Sequence, residues 1–489
     1  MLRKNFVIIF LLASSFVLSQ TPNQISDKLK SFQQTETLKH AQFSVSAKYV
    51  ESGEVIISYY GEKSLAPASN LKLFTTAAAL EILGQNYKYE TKLYYDGEID
   101  NNGTLKGNII LSGGGDPTLG SKNFEDNPQM DSLLTLFVNA ITQKGIKKIN
   151  GSVIADNSRY DNVTIPGTWN WVDIGNYYGA QTSGLALNDN LYYIFFKPGK
   201  NVDDPAEVIK TEPEIPELIF VNNMKTGPAG SGDNGYIYNG PNSFEAELRG
   251  TIPQGFNEFS IKGSVPNPAL LAAQLLNSSL NNSGILTNGK PNAVTESLDN
   301  YDESNLMMVI SSPPLKDIVK IINKKSFNFY ADMILKELGY KVYNEGSFNK
   351  GIKAVEDFFK KNGIDDGGLN IYDGSGLSRA NMITANMMTD LLLHMTKTES
   401  YESFFNSLPV AGDTNDSGTL KNFGRNTVIE KKVFAKTGSI GGVRAHSGYI
   451  KSLSGKLIAF SIITNNYSGG SSGVNEIHKQ VMIELAKMK

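Results

Sequence analysis

The chain carries helix-rich sequence at both ends and a long stretch of different texture between them. Apolar residues at helical spacing follow residue 69 and return from about residue 313, and strand patterns accompany them at both ends. The stretch at 88–300 instead holds many short strand patterns between Pro, Gly and Asn clusters. Because the two ends share one texture, the pattern predicts a single domain that is interrupted by a long insertion.

The predicted segments follow from this change of texture. We expect an export signal at 1–20 and a split domain formed by 21–87 and 301–489. The insertion is expected at 88–300, with a small β subdomain inside it near 190–262. The signal prediction rests on Arg3, Lys4 and the apolar run at 6–18, which is short for a bilayer span. The mature protein is therefore expected to be exported and soluble, in the periplasm or at the cell wall, with no integral membrane segment.

Composition excludes several classes of protein. The net charge is −3, whereas a nucleic-acid-binding protein normally carries a strong basic excess. The chain has no Cys, so disulfides, thiol catalysis and Cys-bound metals are impossible. Its four His show no ligand spacing such as His-x-x-x-His. We therefore expect neither a metal nor a cofactor, and no nucleic-acid partner.

Ser69 and Lys72 form a candidate nucleophile and base. A spacing of three places both side chains on one face of the predicted helix. Ser69 stands at the helix start, where free N–H groups stabilise negative charge. Lysine can accept a proton only when it is neutral, and burial or a neighbouring cation lowers its pKa from about 10.4. The pattern alone is weak, because Ser347 and Lys350 repeat it.

The other copies of these short motifs are interpreted as structural. The second Ser-x-x-Lys, at 347–350, is predicted to be a solvated loop between two glycines. Lys-Thr-Gly at 225–227 is predicted to be a turn, whereas the copy at 436–438 is predicted to open a strand pair. Among the Ser-x-Asn copies, the one at 326–328 lies between helical stretches after the insertion.

Three motifs stand in a fixed order along the chain. Ser-x-x-Lys begins at Ser69, Ser-x-Asn at Ser326 and Lys-Thr-Gly at Lys436, which is the signature of penicillin-binding proteins and serine β-lactamases. Four further stretches, GGGDPTL, WVD, YGA and DGSGLSR, lie at 113–119, 171–173, 178–180 and 373–379. With them the chain resembles the D-alanyl-D-alanine carboxypeptidase/endopeptidase family, the class C low-molecular-mass penicillin-binding proteins. The long insertion is typical of that group, and β-lactamases lack it.

The resemblance implies a fold and an activity. The expected fold is an α/β (α+β) transpeptidase domain of the penicillin-binding and serine β-lactamase type, in which helices flank a central antiparallel sheet and a large β-rich insertion is nested. The expected activity is a serine-type D-Ala-D-Ala carboxypeptidase, a D,D-endopeptidase, or both. The expected partners are peptidoglycan stem peptides, with β-lactams as covalent inhibitors.

The resemblance also implies roles for the motif residues. Ser69 would attack the carbonyl of the penultimate D-Ala and form an acyl-enzyme, while Lys72 takes its proton. Ser326 would relay a proton towards the leaving D-amino group. Asn328 would hold the substrate amide and Lys72.

The Lys-Thr-Gly strand is expected to bind the end of the substrate. By resemblance, Lys436 remains charged, and Thr437 and Ser439 meet the terminal carboxylate beside Gly438. The backbone N–H groups of Ser69 and Ser439 would form the oxyanion hole, where the loss of one donor typically costs about 10²–10³ in rate.

By the same resemblance, the side chain of the stem peptide is expected near Asp173, Tyr178 and Arg379. Leu377 is expected among the other substrate-binding residues. Asp173 suits an ammonium group and Arg379 a carboxylate, and meso-diaminopimelate carries both. Two departures from the family pattern leave this preference open. They are Gln181, where Pro is frequent, and Gly441, where a polar residue is common.

Three alternatives compete with this interpretation. Ser471 lies in a Gly-x-Ser-x-Gly pattern, but the acids and the His that follow it share one short helix, so a triad of Ser, acid and His cannot form. This stretch is predicted to be a Gly/Ser loop. A β-lactamase-like hydrolase and a non-catalytic cell-wall binding protein remain open.

Overall fold

The computed structural model describes residues 21–296, 298 and 302–488. The predicted export signal at 1–20 lies outside the described residues. The helices of the described part are α1 Pro22–Gln33, α2 Lys72–Ile82, α3 Met130–Gln143, α4 Trp171–Ile174, α5 Pro268–Asn282, α6 Leu315–Lys325, α7 Asn328–Tyr343, α8 Phe348–Lys361, α9 Ala385–Met395, α10 Tyr401–Asn406 and α11 Ser471–Ala486.

The strands of the described part are β1 Gln42–Tyr49, β2 Val55–Tyr59, β3 Glu90–Tyr95, β4 Glu98–Ile99, β5 Thr104–Lys106, β6 Ile109–Ser112, β7 Lys148–Ile149, β8 Val153–Asp156, β9 Leu191–Lys197, β10 Glu207–Glu212, β11 Ile219–Gly227, β12 Asn234–Tyr238, β13 Glu245–Pro253, β14 Phe259–Ser264, β15 Leu286–Thr287, β16 Asn292–Val294, β17 Leu306–Ser311, β18 Val433–Ile440, β19 Val443–Lys451 and β20 Leu457–Asn465.

The central sheet joins the two ends of the chain. β1 and β2 combine with β18, β19 and β20 in one antiparallel sheet, in the order β18-β19-β20-β1-β2. β1 pairs with β20 along its whole length, from Gln42 opposite Asn465 to Tyr49 opposite Ile458. The central antiparallel sheet expected from the sequence is thus confirmed.

Helices cover both faces of this sheet. Alternate residues of β20 enter two different cores, because successive side chains of a strand point to opposite faces. Phe460 and Ile462 pack with α1 and α11, whereas Ala459 and Ile463 pack in the core that holds α2, α7 and α9. β20 is buried on both sides, which explains why its sequence is almost uninterruptedly apolar.

The helical core positions the start of α2 against the sheet. α2 packs on α6, α7 and α8, and Phe74 of α2 meets Phe359 of α8 edge-on with ring centroids 4.8 Å apart. A single 3-10 turn, Ala68–Leu71, precedes α2 and contacts β18 and β19. The packing therefore brings Ser69 next to the Lys-Thr-Gly strand.

The middle of the chain contributes separate sheets. The sheet β16-β8-β6-β3-β17 packs against α3 and α5 around a core of its own. The sheets β10-β9-β14 and β11-β13-β12 share another core, which extends to Leu271, beyond the range near 190–262 predicted for a small β subdomain. β17, from beyond the predicted insertion, pairs with β3 inside it. The segment boundaries remain a prediction.

Three predictions for the secondary motif copies are wrong. Ser347 is not in a solvated loop. It is buried and caps α8, with its Oγ accepting the Lys350 N–H at 3.2 Å. The helix forms here because the apolar face of α8 packs on α7. The Lys-Thr-Gly copy at 225–227 ends β11 rather than forming a turn, since it pairs in parallel with β13. Ser471 begins α11 rather than lying in a loop.

No helix within the described ranges is both long and apolar enough to cross a bilayer.

Candidate active site

Ser69 lies where the 3-10 turn runs into α2. Ala68, just before it, adopts a positive φ of 46°, and Ser69 itself is half-buried. Lys72 begins α2 three residues later and is fully buried. The predicted spacing is thus realised on one helical face, and the Lys72 Nζ lies 2.9 Å from the Ser69 Oγ.

The Lys72 ammonium is held by oxygen atoms from three elements. Besides Ser69, its Nζ donates to the Asn328 Oδ1 at 2.6 Å and to the Ser375 carbonyl at 2.5 Å. Burial lowers the pKa of Lys72 to about 8, although the carboxylates of Asp332 and Asp373 oppose the shift. A substantial fraction of Lys72 is therefore neutral near pH 8 and able to accept a proton.

Ser326 and Asn328 come from the junction of α6 and α7. Ser326 adopts a left-handed backbone conformation, with φ at 58°, and this sharp turn separates the two helices. Asn328 begins α7, and its Nδ2 donates to the Tyr178 carbonyl at 2.8 Å. The amide thus links Lys72 to the segment that carries Tyr178.

Lys436 reaches the site from β18. Its Nζ donates to the Ser326 Oγ at 2.8 Å and to the Thr437 carbonyl at 2.6 Å. Burial and the neighbouring Lys72 lower its pKa well below the ordinary value. Lys436 was expected to remain charged. In this buried position its ammonium form needs an anion beside it, because an unpaired buried ammonium is unfavourable.

The remaining Lys-Thr-Gly residues shape the edge of β18. The Thr437 Oγ1 lies 2.9 Å from the Thr419 Oγ1. A Cβ on Gly438 would lie only 2.4 Å from the Pro67 carbonyl oxygen, so no larger residue fits between β18 and the turn before Ser69. Ser439 is exposed and faces the opening.

A cavity of about 390 Å³ connects these groups. It is lined by Ser69, Asp173, Tyr177, Tyr178, Lys325, Ser326, Asn328, Gly376, Leu377, Arg379, Ser439, Ile440 and Gly441. Lys72 and Lys436 lie buried behind this wall. The fold therefore brings the five distant segments that carry the predicted site residues, 69–72, 173–178, 326–328, 377–379 and 436–439, to one place.

Asp173, Tyr178 and Arg379 form one end of the cavity. The Tyr178 hydroxyl donates to the half-buried Asp173 carboxylate. Burial raises the pKa of Asp173, and the positive charge of Arg379 opposes the shift. Arg379 is exposed, and its Nη1 donates to the Gly441 carbonyl at 2.9 Å. This end offers a carboxylate, a phenol and a guanidinium within one opening.

The two departures from the family pattern have different surroundings. Gln181 is buried, and its Nε2 donates to the carbonyls of Val265 and Pro266, so it supports the scaffold. Gly441 instead lines the cavity beside Arg379. Only the second departure changes the surface that a ligand would meet.

Sequence reasoning missed several residues of the site. Tyr177, Lys325, Gly376 and Ile440 also line the cavity, and Asp332 lies behind it. Asp332 could have been found from the sequence, because it follows Asn328 by one helical turn and residues at that spacing share a face of the helix. Each of the four cavity-lining residues stands next to a residue that was predicted, and local sequence does not show which neighbour of a motif residue will line a cavity.

The chain matches a known protein family along most of its length. The family model described as "D-Ala-D-Ala carboxypeptidase 3 (S13) family" matches residues 25–487. The chain belongs to the D-Ala-D-Ala carboxypeptidase 3 (S13) family. A D-alanyl-D-alanine carboxypeptidase from Actinomadura sp. (strain R39) is 31% identical over 428 residues, which cover 86% of this chain and 76% of that protein.

Solved structures agree with this membership. Penicillin binding protein 4 from Haemophilus influenzae superposes with a TM-score of 0.80 at 26% identity, covering 94% of this chain and 99% of the other. A structure of the same protein complexed with a β-lactam superposes with a TM-score of 0.76 at 25% identity and the same coverage. The family, the penicillin-binding fold and the class of enzyme, a serine-type D-Ala-D-Ala peptidase, expected from the sequence are confirmed.

Proposed function

We propose that the protein hydrolyses D-Ala-D-Ala-type peptide bonds of peptidoglycan through an acyl-enzyme on Ser69, with Lys72 as the base. The observation that supports this most directly is the 2.9 Å separation of the Lys72 Nζ and the Ser69 Oγ. Burial lowers the pKa of Lys72 to about 8, so a substantial fraction of the amine is neutral near pH 8 and can accept a proton.

The proposed reaction has two steps. In the first, the Ser69 Oγ bonds to the carbonyl carbon of the penultimate D-Ala, its proton passes to Lys72, and the C–N bond breaks. Ser326 gives its hydroxyl proton to the leaving amine and takes the proton of Ser69 from Lys72, which returns Lys72 to the neutral amine; Lys436 contacts the Ser326 hydroxyl. In the second step, water attacks the ester carbon while Lys72 takes one of its protons. The bond from that carbon to the Ser69 Oγ breaks, Lys72 returns the proton to Ser69, and the shortened peptide leaves with a new carboxyl group.

The negative charge of the substrate would balance the positive charge of Lys436. We propose that the terminal carboxylate binds to Thr437 and Ser439 next to Lys436. An anion there would raise the pKa of Lys436 again and keep it protonated, against the effect of burial. The backbone N–H groups of Ser69 and Ser439 would stabilise the oxyanion, because Gly438 lets β18 approach the turn at Pro67 closely.

The end of the cavity at Asp173 is the proposed site for the stem-peptide side chain. Asp173 and Tyr178 would receive an ammonium group, Arg379 a carboxylate, and Leu377 the aliphatic part between them. A diaminopimelate side chain presents these groups together. Cleavage of a cross-link and removal of a terminal D-Ala would use the same acyl-enzyme, so both activities are proposed.

Labelling with a fluorescent penicillin tests the nucleophile. β-lactams are proposed to acylate Ser69, as one was crystallised with the Haemophilus relative. Ser69→Ala should abolish the covalent adduct, whereas Ser471→Ala should label normally, because Ser471 lies at the start of α11. Lys72→Ala should slow acylation by about 10²-fold or more. An adduct that persists in Ser69→Ala would refute the assignment.

Product analysis tests the substrate. Purified protein should release D-Ala from uncross-linked muropeptides, and splitting of cross-linked dimers would establish the endopeptidase activity. Export is proposed from the sequence at 1–20, and N-terminal sequencing of the protein recovered outside the cytoplasm should begin near Gln20 or Thr21.

A further inference from the structure

The loop that carries Ser375 is fixed by a buried carboxylate of its own. The Asp373 carboxylate accepts hydrogen bonds from the backbone N–H groups of Gly376 at 2.7 Å and Ser378 at 2.6 Å. It also accepts the Asn381 Nδ2 and the Trp169 Nε1, each at 2.8 Å. With four donors, Asp373 is fully satisfied and serves to hold the loop in shape.

Asp332 holds the same loop through two other backbone N–H groups. It lies one helical turn after Asn328 on α7, so both side chains face the buried end of Lys72. Its Oδ1 accepts the N–H groups of Gly374 at 2.7 Å and Ser375 at 3.0 Å. The carbonyl of Ser375 then accepts the Lys72 Nζ. A continuous chain of hydrogen bonds thus connects Asp332 to the proposed base.

The second carboxylate oxygen of Asp332, Oδ2, lacks the hydrogen bonds that Oδ1 makes. The residue is fully buried, and its Oδ2 has no hydrogen-bond partner among the described residues. Two cations face Asp332, namely Lys72 and Lys336. Lys336 lies on the next turn of α7 and already binds the Asp161 carboxylate at 2.6 Å. Lys72 is therefore the cation whose charge Asp332 is free to balance.

We propose that Asp332 is a positioning residue for Lys72. Its Oδ1 holds the loop whose Ser375 carbonyl orients the Lys72 Nζ, and its carboxylate stabilises the ammonium that Lys72 becomes when it takes the proton of Ser69. This inference rests on the proposed function of Lys72 as the base. It assigns to Asp332 an effect on the reaction through Lys72, without contact to the substrate.

The charges around Lys72 fix the sign of the expected effect. Asp332 and Asp373 raise the pKa of Lys72, whereas burial lowers it, and Lys436 is the neighbouring cation. The pKa of Asp332 is itself raised by burial and by Asp373, and Lys72 opposes that rise. Lys72 and the Gly374 N–H favour the ionised form of Asp332. Replacing the ionised Asp332 by a neutral residue removes a negative charge, so Lys72 loses its proton at lower pH.

The test is the pH dependence of acylation by a fluorescent penicillin. In the wild type, the rate should rise with pH as Lys72 becomes neutral. In Asp332→Asn, the midpoint of this rise should move down by about one pH unit, and the maximal rate should fall about tenfold because the ammonium loses its counter-charge. Asp332→Ser serves as a second neutral variant, and whichever variant folds must show the downward shift.

Two matched variants separate charge from structure. Thr75 donates to the Gly374 carbonyl at 2.8 Å, so Thr75→Val loosens the same loop without changing its charge. It should lower the rate and leave the midpoint in place. Asp116 is another buried carboxylate that accepts backbone and side-chain bonds, from Thr118, and Asp116→Asn should change neither quantity.

The outcomes are distinguishable. An unchanged midpoint in the neutral Asp332 variants, or an equal shift in Thr75→Val, would overturn the role of Asp332. A wild type that forms no adduct, or a Ser69→Ala variant that still does, would instead overturn the proposed function on which the inference rests.

Discussion

The Lys436 Nζ lies 2.8 Å from the Ser326 Oγ, although the two residues belong to different parts of the fold. Lys436 extends from the edge strand of the central sheet, and Ser326 occupies the left-handed turn between α6 and α7. The contact places the Lys436 amine directly beside the hydroxyl for which the proton-relay role is proposed. Four predictions test this arrangement and its surroundings.

Replacing Ser326 tests the proton relay. Ser326→Ala should lower kcat/KM for a D-Ala-D-Ala peptide by about 10²-fold, because a general acid typically contributes at least that much. The chain offers a matched control in Ser347, which begins an identical Ser-Phe-Asn tripeptide but caps α8 away from the cavity. Ser347→Ala should lose stability by about 1 kcal/mol and retain its activity. Equal losses of activity in both variants would contradict the relay.

Gly438 tests the close approach of β18 to the turn before Ser69. In Gly438→Ala, the new methyl group would meet the Pro67 carbonyl, a backbone atom that cannot move aside without moving Ser69. Acylation by penicillin should slow by about 10²-fold, as for other misplacements near one ångström. Gly167→Ala is the control, since its Cβ would enter open space. Normal acylation of Gly438→Ala would show that the strand approach is dispensable.

Asp173 tests the side-chain subsite. Asp173→Ala should lower kcat/KM by about tenfold or more on a peptide with a diaminopimelate side chain, because a charge-assisted hydrogen bond is lost. A simple D-Ala-D-Ala peptide should be cleaved almost normally by the same variant. Asp126→Ala, at an exposed position outside the cavity, should alter neither substrate. An equal loss on both peptides would refute the subsite.

A buried histidine pair behind the Lys-Thr-Gly strand predicts acid sensitivity. The Nδ1 atoms of His446 and His478 lie 2.9 Å apart, and burial lowers the pKa of His478 from 6.5 to about 3. The unfolded chain binds a proton below pH 6.5 that the folded chain refuses until about pH 3. As the pH decreases from 6.5 to about 3, His478 therefore lowers the free energy of unfolding by about 1.4 kcal/mol for each pH unit.

Denaturant titrations at several pH values measure this dependence. In His478→Gln the slope between pH 6.5 and 3 should be shallower by about one proton, while the slope of His40→Gln should match the wild type because His40 is exposed. An unchanged slope in His478→Gln would mean that the folded protein accommodates the charged ring.

The order of three short motifs predicted the penicillin-binding and β-lactamase type of fold, because each motif places a reactive group on an element whose pattern is readable. The family followed from the further stretches at 113–119, 171–173, 178–180 and 373–379 and from the long insertion. Ser69 and Lys72 share a helical face by spacing alone. The structure around the other copies of these motifs was harder to predict from the sequence, and the prediction of a loop at Ser347 was wrong. Its helix, α8, is stabilised by packing on α7, a tertiary interaction that local sequence does not report.

The sequence by itself determined the reactive side chains, their order and the elements that carry them, because local spacing and periodicity are properties of the chain. Only the tertiary structure decided which groups act on Lys72. Asp332 and the Ser375 carbonyl reach it across 260 and 303 positions of sequence, and no local pattern connects such distant residues. Burial, which lowers the pKa of Lys72 to about 8, likewise arises only when the helices and the central sheet close around it.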